Sequence, residues 1–346
     1  MMNQKLLYRL NIERQGTGSW LYAYGLLAGR ENKYFDTNQL QQLFQANSEE
    51  QLLNIIREAN YQGESVDQAL INSKYEDIEL LFSIIPDYDL LKIFLLFNEG
   101  HNLKVVLRST LSADHKISLK TIEHLLLGPY LTEPRLILEA VRNSGLTELP
   151  DWMSNAIKKS EQEYLDSYDM SMVDLVVDKL MWQELIEQLK LIDSEWLLEY
   201  YLLKADFINL EILFRCKNLH LTAEFFIRSI INQGTVKPEE WLVYYNMSES
   251  ELARELELLN LGEFVEFINT YHEQGRASLF SQISDQHLID LIHKVRYFSS
   301  GIEKTASYYL IREIERTNIK LARACLLHLI SEDRYCSMVR PSYLGR

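Results

Sequence analysis

Cys216 stands between Arg215 and Lys217, with His220 four residues on. Cations beside a thiol favour the thiolate, which is the chemistry of a nucleophilic cysteine. On a helix, however, adjacent residues point to different faces, and that reading makes Cys216 a packed, inert thiol. The carboxylates Glu99, Asp206 and Glu315 are a second candidate, because paired acids can divide acid and base roles. Each is followed one helical turn later by an asparagine, at Asn102, Asn209 and Asn318. A carboxylate and an amide that recur three times in one chain fit lobe packing, helix capping or partner contacts better than one active site. His287 and His293 are six apart and fall on different helix faces, and the chain has no Cys-x-x-Cys, so no metal-ligand spacing emerges. Gly16-x-Gly18 is followed by Leu21 where a nucleotide fingerprint needs glycine, and no Walker-type loop occurs. The residues thus point to no catalytic group, no cofactor and no metal.

The elements that must position the acid–asparagine pairs are themselves repeated. The three segments read Glu99-x-x-Asn102-Leu103-Lys104, Asp206-x-x-Asn209-Leu210-Glu211 and Glu315-x-x-Asn318-Ile319-Lys320. The asparagines fall at 102, 209 and 318, steps of 107 and 109 residues. A hydroxyl residue followed by glutamate opens a helical pattern ahead of each, at Ser48, Thr132 and Ser248. This predicts three N-caps, in which the hydroxyl accepts an orphan N–H and the acid favours the positive helix end. The pattern is read as an internal triplication, with helical lobes at 1–117, 118–223 and 224–346. Residues before the acid are almost wholly apolar at 93–97 and 200–203, which predicts burial on most sides. In the third segment Arg312, Glu313, Glu315, Arg316 and Lys320 lie off the apolar stripe, and an exposed charged face is expected there. The charged faces of the three repeat helices are expected to border a central cavity.

Composition supports long, stiff helices. The 346 residues contain only 13 glycines and 6 prolines, and period-two alternation is not sustained. The chain is read as all-α. Fifty acids against 35 lysines and arginines give a net charge of −15, which disfavours a nucleic-acid binder. Three cysteines, at 216, 325 and 336, cannot build a disulfide scaffold and read as reduced thiols. No run approaches the roughly 18 apolar residues of a membrane span, and no signal peptide is visible. Trp20, Tyr22, Tyr24, Tyr34 and Phe35 form an aromatic cluster that serves core packing or a partner surface.

Tyr22-Ala23-Tyr24, Arg30, Tyr34-Phe35-Asp36, the triplicated helix and the run from Tyr308 to Ile319 together resemble the C/d-subunit family of A-type and V-type ATPases. The likeness covers nearly the whole chain, while the final residues, 340–346, depart from the family pattern. The resemblance implies three similar helical lobes arranged as a pseudo-threefold funnel. It implies a non-catalytic rotor component of the central stalk, one copy per complex, peripheral on the cytoplasmic face of the membrane. The partners implied are the central axle, built from the D and F subunits, and the membrane proteolipid ring. Glu99, Asn102, Asp206, Asn209, Glu315, Asn318, Arg312 and Arg316 are the expected partner-binding or lobe-packing residues. A helical-repeat scaffold unrelated to ATPases is the alternative, and an all-α enzyme with a hidden carboxylate site is a third reading.

Overall fold

The computed structural model describes residues 18–112, 118–143, 149–298, 301–330 and 338–344. Gly16 and Cys336 lie outside the described residues. Sixteen α-helices and short 3-10 turns make up the regular structure, with no strand among the described residues. The fold class read from the sequence is therefore the one observed. The chain forms two compact units, one of residues 74–193 with the first 19, the other of 20–73 with 194–346.

The first unit holds the second half of α4, whose full range is Val66–Ile84, then α5 (Asp89–Ser112), α6 (Leu119–Ile122), α7 (Pro134–Asn143), α8 (Asp151–Ser167) and α9 (Met170–Leu189). Helix α5 is its spine. Leu90, Leu91, Ile93, Phe94, Leu95, Leu96, Leu103, Val106 and Leu107 are all buried, so apolar side chains leave it on every side. It packs against α7 and α9. A Cβ on Gly100 would stand 2.4 Å from the Met181 sulfur, so on α5 glycine leaves the room that the Met181 thioether of α9 fills. That close approach offsets the roughly 0.5–1 kcal/mol that a mid-helix glycine costs.

The second unit contains α1 (Trp20–Ala28), α2 (Thr37–Phe44) and α3 (Glu49–Glu58). It continues with α10 (Glu195–Asn218), α11 (Ala223–Ser229), α12 (Pro238–Asn246), α13 (Glu249–Leu258), α14 (Phe267–Thr270), α15 (Arg276–His293) and α16 (Gly301–Leu327). Two long helices organise it. Helix α10 packs against α11, α14, α15 and α16, and α16 packs against α1, α2 and α3. Ser194 caps α10 by accepting from the Leu197 N–H at 3.3 Å, and Glu195 sits at the positive end. Arg215 and Lys217 lie in the last turn, where cations meet the negative end of the dipole.

Two of the three expected caps are present. Ser48 accepts from Gln51 N at 3.1 Å, and Ser248 forms a capping box with Glu251. Thr132 differs. Helix α7 begins at Pro134, and the Thr132 N–H instead donates to the Glu99 carboxylate at 3.1 and 3.2 Å. The hydroxyl-plus-glutamate pattern at 132 marks a tie to α5, not a cap. Serine, threonine and glutamate suit both roles, and local sequence does not separate them.

The exposed charged face expected on α16 is found only in part, with Lys320 exposed and Glu313 half-buried. Arg312, Glu315 and Arg316 are 9, 5 and 3% exposed, and Glu303 and Lys304 are buried too. Arg312 and Arg316 pair with Glu315 and Glu313 on the same helix, and Lys304 with Glu31; what the helical wheel cannot show is that other segments, through Tyr61 and Ser73, cover these side chains. Of the early aromatics, Tyr34 and Phe35 are core residues and Tyr22 is 57% exposed.

Candidate functional site

The acid and asparagine on each long helix hold the backbone of another segment by one repeated device. Asn102 on α5 accepts from the Leu127 N–H at 2.8 Å and donates to the Leu127 carbonyl at 2.9 Å. Asn209 on α10 does the same with Ile231, both at 2.7 Å. Asn318 on α16 does so with Arg340, at 2.7 and 3.0 Å. A carboxamide presents one donor and one acceptor side by side, as a peptide group does, so it can satisfy both main-chain groups of one residue. All three asparagines are at most 1% exposed. A group this deeply buried must be fully bonded, which explains why Asn recurs where a leucine would pack.

One turn earlier, the carboxylate collects backbone N–H groups from the same or an adjoining segment. Glu99 accepts from Leu131 at 2.8 Å and from Thr132. Asp206 accepts from Thr235 N at 2.9 Å, Val236 N at 3.3 Å and the Thr235 hydroxyl at 2.5 Å. Glu315 accepts from Phe35 N at 2.6 Å, the Tyr61 hydroxyl at 3.0 Å and Arg312 at 2.7 Å. Burial pushes all three carboxyls above their usual range. Hydrogen bonds from Thr132 and Leu131 oppose the shift at Glu99, and those from Thr235 and Val236 oppose it at Asp206. At Glu315 the Arg312 charge is the largest opposing influence.

Gly234 belongs to the Asp206 device. A Cβ there would lie 1.9 Å from Asp206 Oδ1, so only glycine lets the 231–236 segment close over the carboxylate. On α16 the device is wrapped in further buried charge. Arg312 lies over the Tyr61 ring at 4.3 Å, Arg316 pairs with Glu313 at 2.7 Å, and Arg340 pairs with Asp285 at 2.6 Å. Lys204 on α10 is half-buried beside them, and desolvation lowers its amine against the pull of Asp285 and Glu313. The segment 338–344 is tied in as well. The Ser342 hydroxyl donates to the Phe35 carbonyl at 2.6 Å, and Tyr343 packs on Tyr34, His293 and Arg296.

The other sequence candidates sit elsewhere. Cys216 is a buried free thiol whose pKa burial raises more than Arg215 lowers it, so it is held protonated. Arg215 is turned to Glu211 at 3.2 Å, and the Lys217 amine donates to the Tyr245 and Met247 carbonyls, both at 2.8 Å. His287 bonds Glu263, whereas His293 stacks on Tyr343. No group of three or more metal-ligating side chains occurs among the described residues. Six of the eight site residues form three clamps, Arg312 bonds to the Glu315 clamp, and Arg316 pairs with Glu313.

A family profile described as ATP synthase (C/AC39) subunit matches residues 23–335. The chain belongs to this family. It is also 19% identical over 305 residues to the C subunit of the V-type sodium ATPase of Enterococcus hirae, covering 86% of this chain and 90% of that protein. The C/d-subunit likeness read from the sequence is thereby shown. In this family member the segment 338–344, with its Arg340 clamp and Tyr343, lies beyond the matched residues. Among the described residues no helix is long and apolar enough to cross a membrane.

Sequence reasoning misses the partners of each clamp: Leu127, Ile231, Arg340, Phe35 and Tyr61. One signal points to some of them. Ser48 and Ser248 each open a ten-residue helix that ends before Asn60 or Asn260, at matching distances, so Tyr61 and Leu261 occupy equivalent places.

Proposed function

We propose that this chain is a non-catalytic rotor component of a V/A-type ATPase. It joins the central axle, built from the D and F subunits, to the membrane proteolipid ring and carries torque between them. It sits peripherally on the cytoplasmic face of the membrane as one copy per complex. Its lobes, divided in sequence near 117 and 223, form a pseudo-threefold funnel that receives the axle tip. Each lobe is centred on one clamp helix.

The observation that carries this reading is the thrice-repeated buried clamp in a chain of this family. Torque needs a body whose segments do not slide, and bidentate main-chain ties from buried side chains supply that stiffness. The polar groups with catalytic potential are spent on those ties. Glu99, Asp206 and Glu315 each already accept two or more hydrogen bonds, and Cys216 is held as a thiol.

The test is coupling. In membranes from cells lacking this chain, ATP hydrolysis by the catalytic sector should persist while ATP-driven ion uptake into vesicles falls to background. Restoring the purified chain should restore uptake. Full ion uptake without the chain would overturn the assignment.

A further inference from the structure

The Asp206 and Glu315 corners of the second unit are built to one plan. Helices α3 and α13 are both ten residues long and both capped by serine. Both are followed by a left-handed asparagine, Asn60 with φ 67° and Asn260 with φ 58°. The next residue turns its N–H back onto the helix, from Tyr61 to the Ile56 carbonyl at 2.9 Å and from Leu261 to the Leu256 carbonyl at 2.8 Å. Each carboxylate accepts a backbone N–H just ahead of α2 or α12, from Phe35 or Thr235. Position by position, Phe35 corresponds to Thr235 and Tyr61 to Leu261.

The fillings differ. At the Glu315 corner the Phe35 and Tyr61 rings stack with centroids 5.9 Å apart and planes at 10°. At the Asp206 corner both rings are missing, and a cavity of about 200 Å³ stands among Phe207, Trp241, Leu252, Leu261, Thr235 and Asp206. An apolar cavity of about 150 Å³ is enough to take up benzene. Thr235 and Leu259 at the rim are exposed, so solutes can reach it. Asp206 and Glu255 both line it and disfavour an anion. At the sister corner the Tyr61 hydroxyl donates to Glu315 at 3.0 Å, and a hydroxyl-bearing ring at this corner can make the same bond to the Asp206 carboxylate.

We propose that this cavity is a binding site for a small uncharged aromatic molecule of the phenol class, which occupies the place that Phe35 and Tyr61 fill at the sister corner. The inference stands on the two corners alone and does not depend on the rotor assignment.

The experiment is ligand-observed NMR and tryptophan-fluorescence titration of the purified full chain, with 4-methylphenol as the probe and benzoate as its anionic counterpart. The expected result is saturable one-to-one binding of 4-methylphenol, with benzoate weaker by about tenfold or more. Leu261→Tyr and Thr235→Phe, which rebuild one ring each, should each weaken 4-methylphenol binding by about tenfold or more. Circular dichroism identifies which variants keep the wild-type fold, and the comparison of the two probes on the wild-type chain holds whatever the variants do. No saturable binding at millimolar 4-methylphenol, equal binding of benzoate, or undiminished binding by a folded ring-restoring variant would overturn the proposal.

Discussion

The clamp on α10 closes on residues that follow it in the chain, 22 to 30 positions on, whereas the clamp on α16 closes on segments from both directions at once. Asn318 holds Arg340, 22 residues downstream, but Glu315 holds Phe35, 280 residues upstream. The difference teaches what the repeat preserves. It keeps the acceptor geometry on the long helix and leaves free which stretch of chain supplies the donors. It also separates two grades of burial. Asp206 is satisfied by neutral N–H and O–H groups alone, while Glu315 adds a buried guanidinium.

The largest test of this contrast is removal of each acid. Glu315→Ala leaves Arg312 buried without that carboxylate and should cost about 3–5 kcal/mol in urea unfolding. Asp206→Ala leaves only neutral groups unpaired and should cost about 1–3 kcal/mol. Equal losses would break the distinction. Next comes the asparagine. Asn209→Ala and Asn318→Ala each strand one buried N–H and one carbonyl, and each should lose about 2–4 kcal/mol, to a similar extent at both corners. Gly234→Ala drives a methyl group into the Asp206 carboxylate and should destabilise by about 1–3 kcal/mol. It sharpens the comparison, because Tyr34 precedes Phe35 at the sister corner and a side chain is accommodated there.

The smallest effect is in pH. The folded pKa of Glu99 is raised by burial, so the native state holds the proton more tightly than the unfolded chain. Its contribution is fully present below the unfolded carboxyl value, about 4.3. It is lost as pH rises through the folded value. Glu99→Gln should remove that decline and flatten the plot of urea midpoint against pH just above the usual carboxylate range. A wild-type slope of opposite sign, unchanged in the variant, would contradict the burial argument.

The helical class and the three acid–asparagine helices are legible in the sequence, because periodicity and spacing are local. Glu99, Asp206 and Glu315 stand out for that reason, together with their asparagines. Their donors do not, because nothing in the residues around 315 names Phe35 or Tyr61. The expectation that Arg312 and Arg316 form an exposed face fails on the same ground. A charged stripe on one helix looks solvated until Tyr61 and Ser73, brought in by other segments, cover it. The tie from Thr132 to Glu99 reads as a cap because a threonine ahead of a helix suits either role. The docking of the segment 338–344 through Arg340, Ser342 and Tyr343 carries no periodic signal at all.

The central claim is that this stiff, thrice-clamped chain is a mechanical joint within a rotary ATPase. The measurement that tests it most directly is affinity isolation of the tagged full chain from native membranes, followed by mass spectrometry of what comes with it. The account predicts the D and F axle subunits and the proteolipid ring in stoichiometric amounts, with one copy of this chain. Recovery of the chain without them, from membranes in which the assembled ATPase is intact, would contradict it.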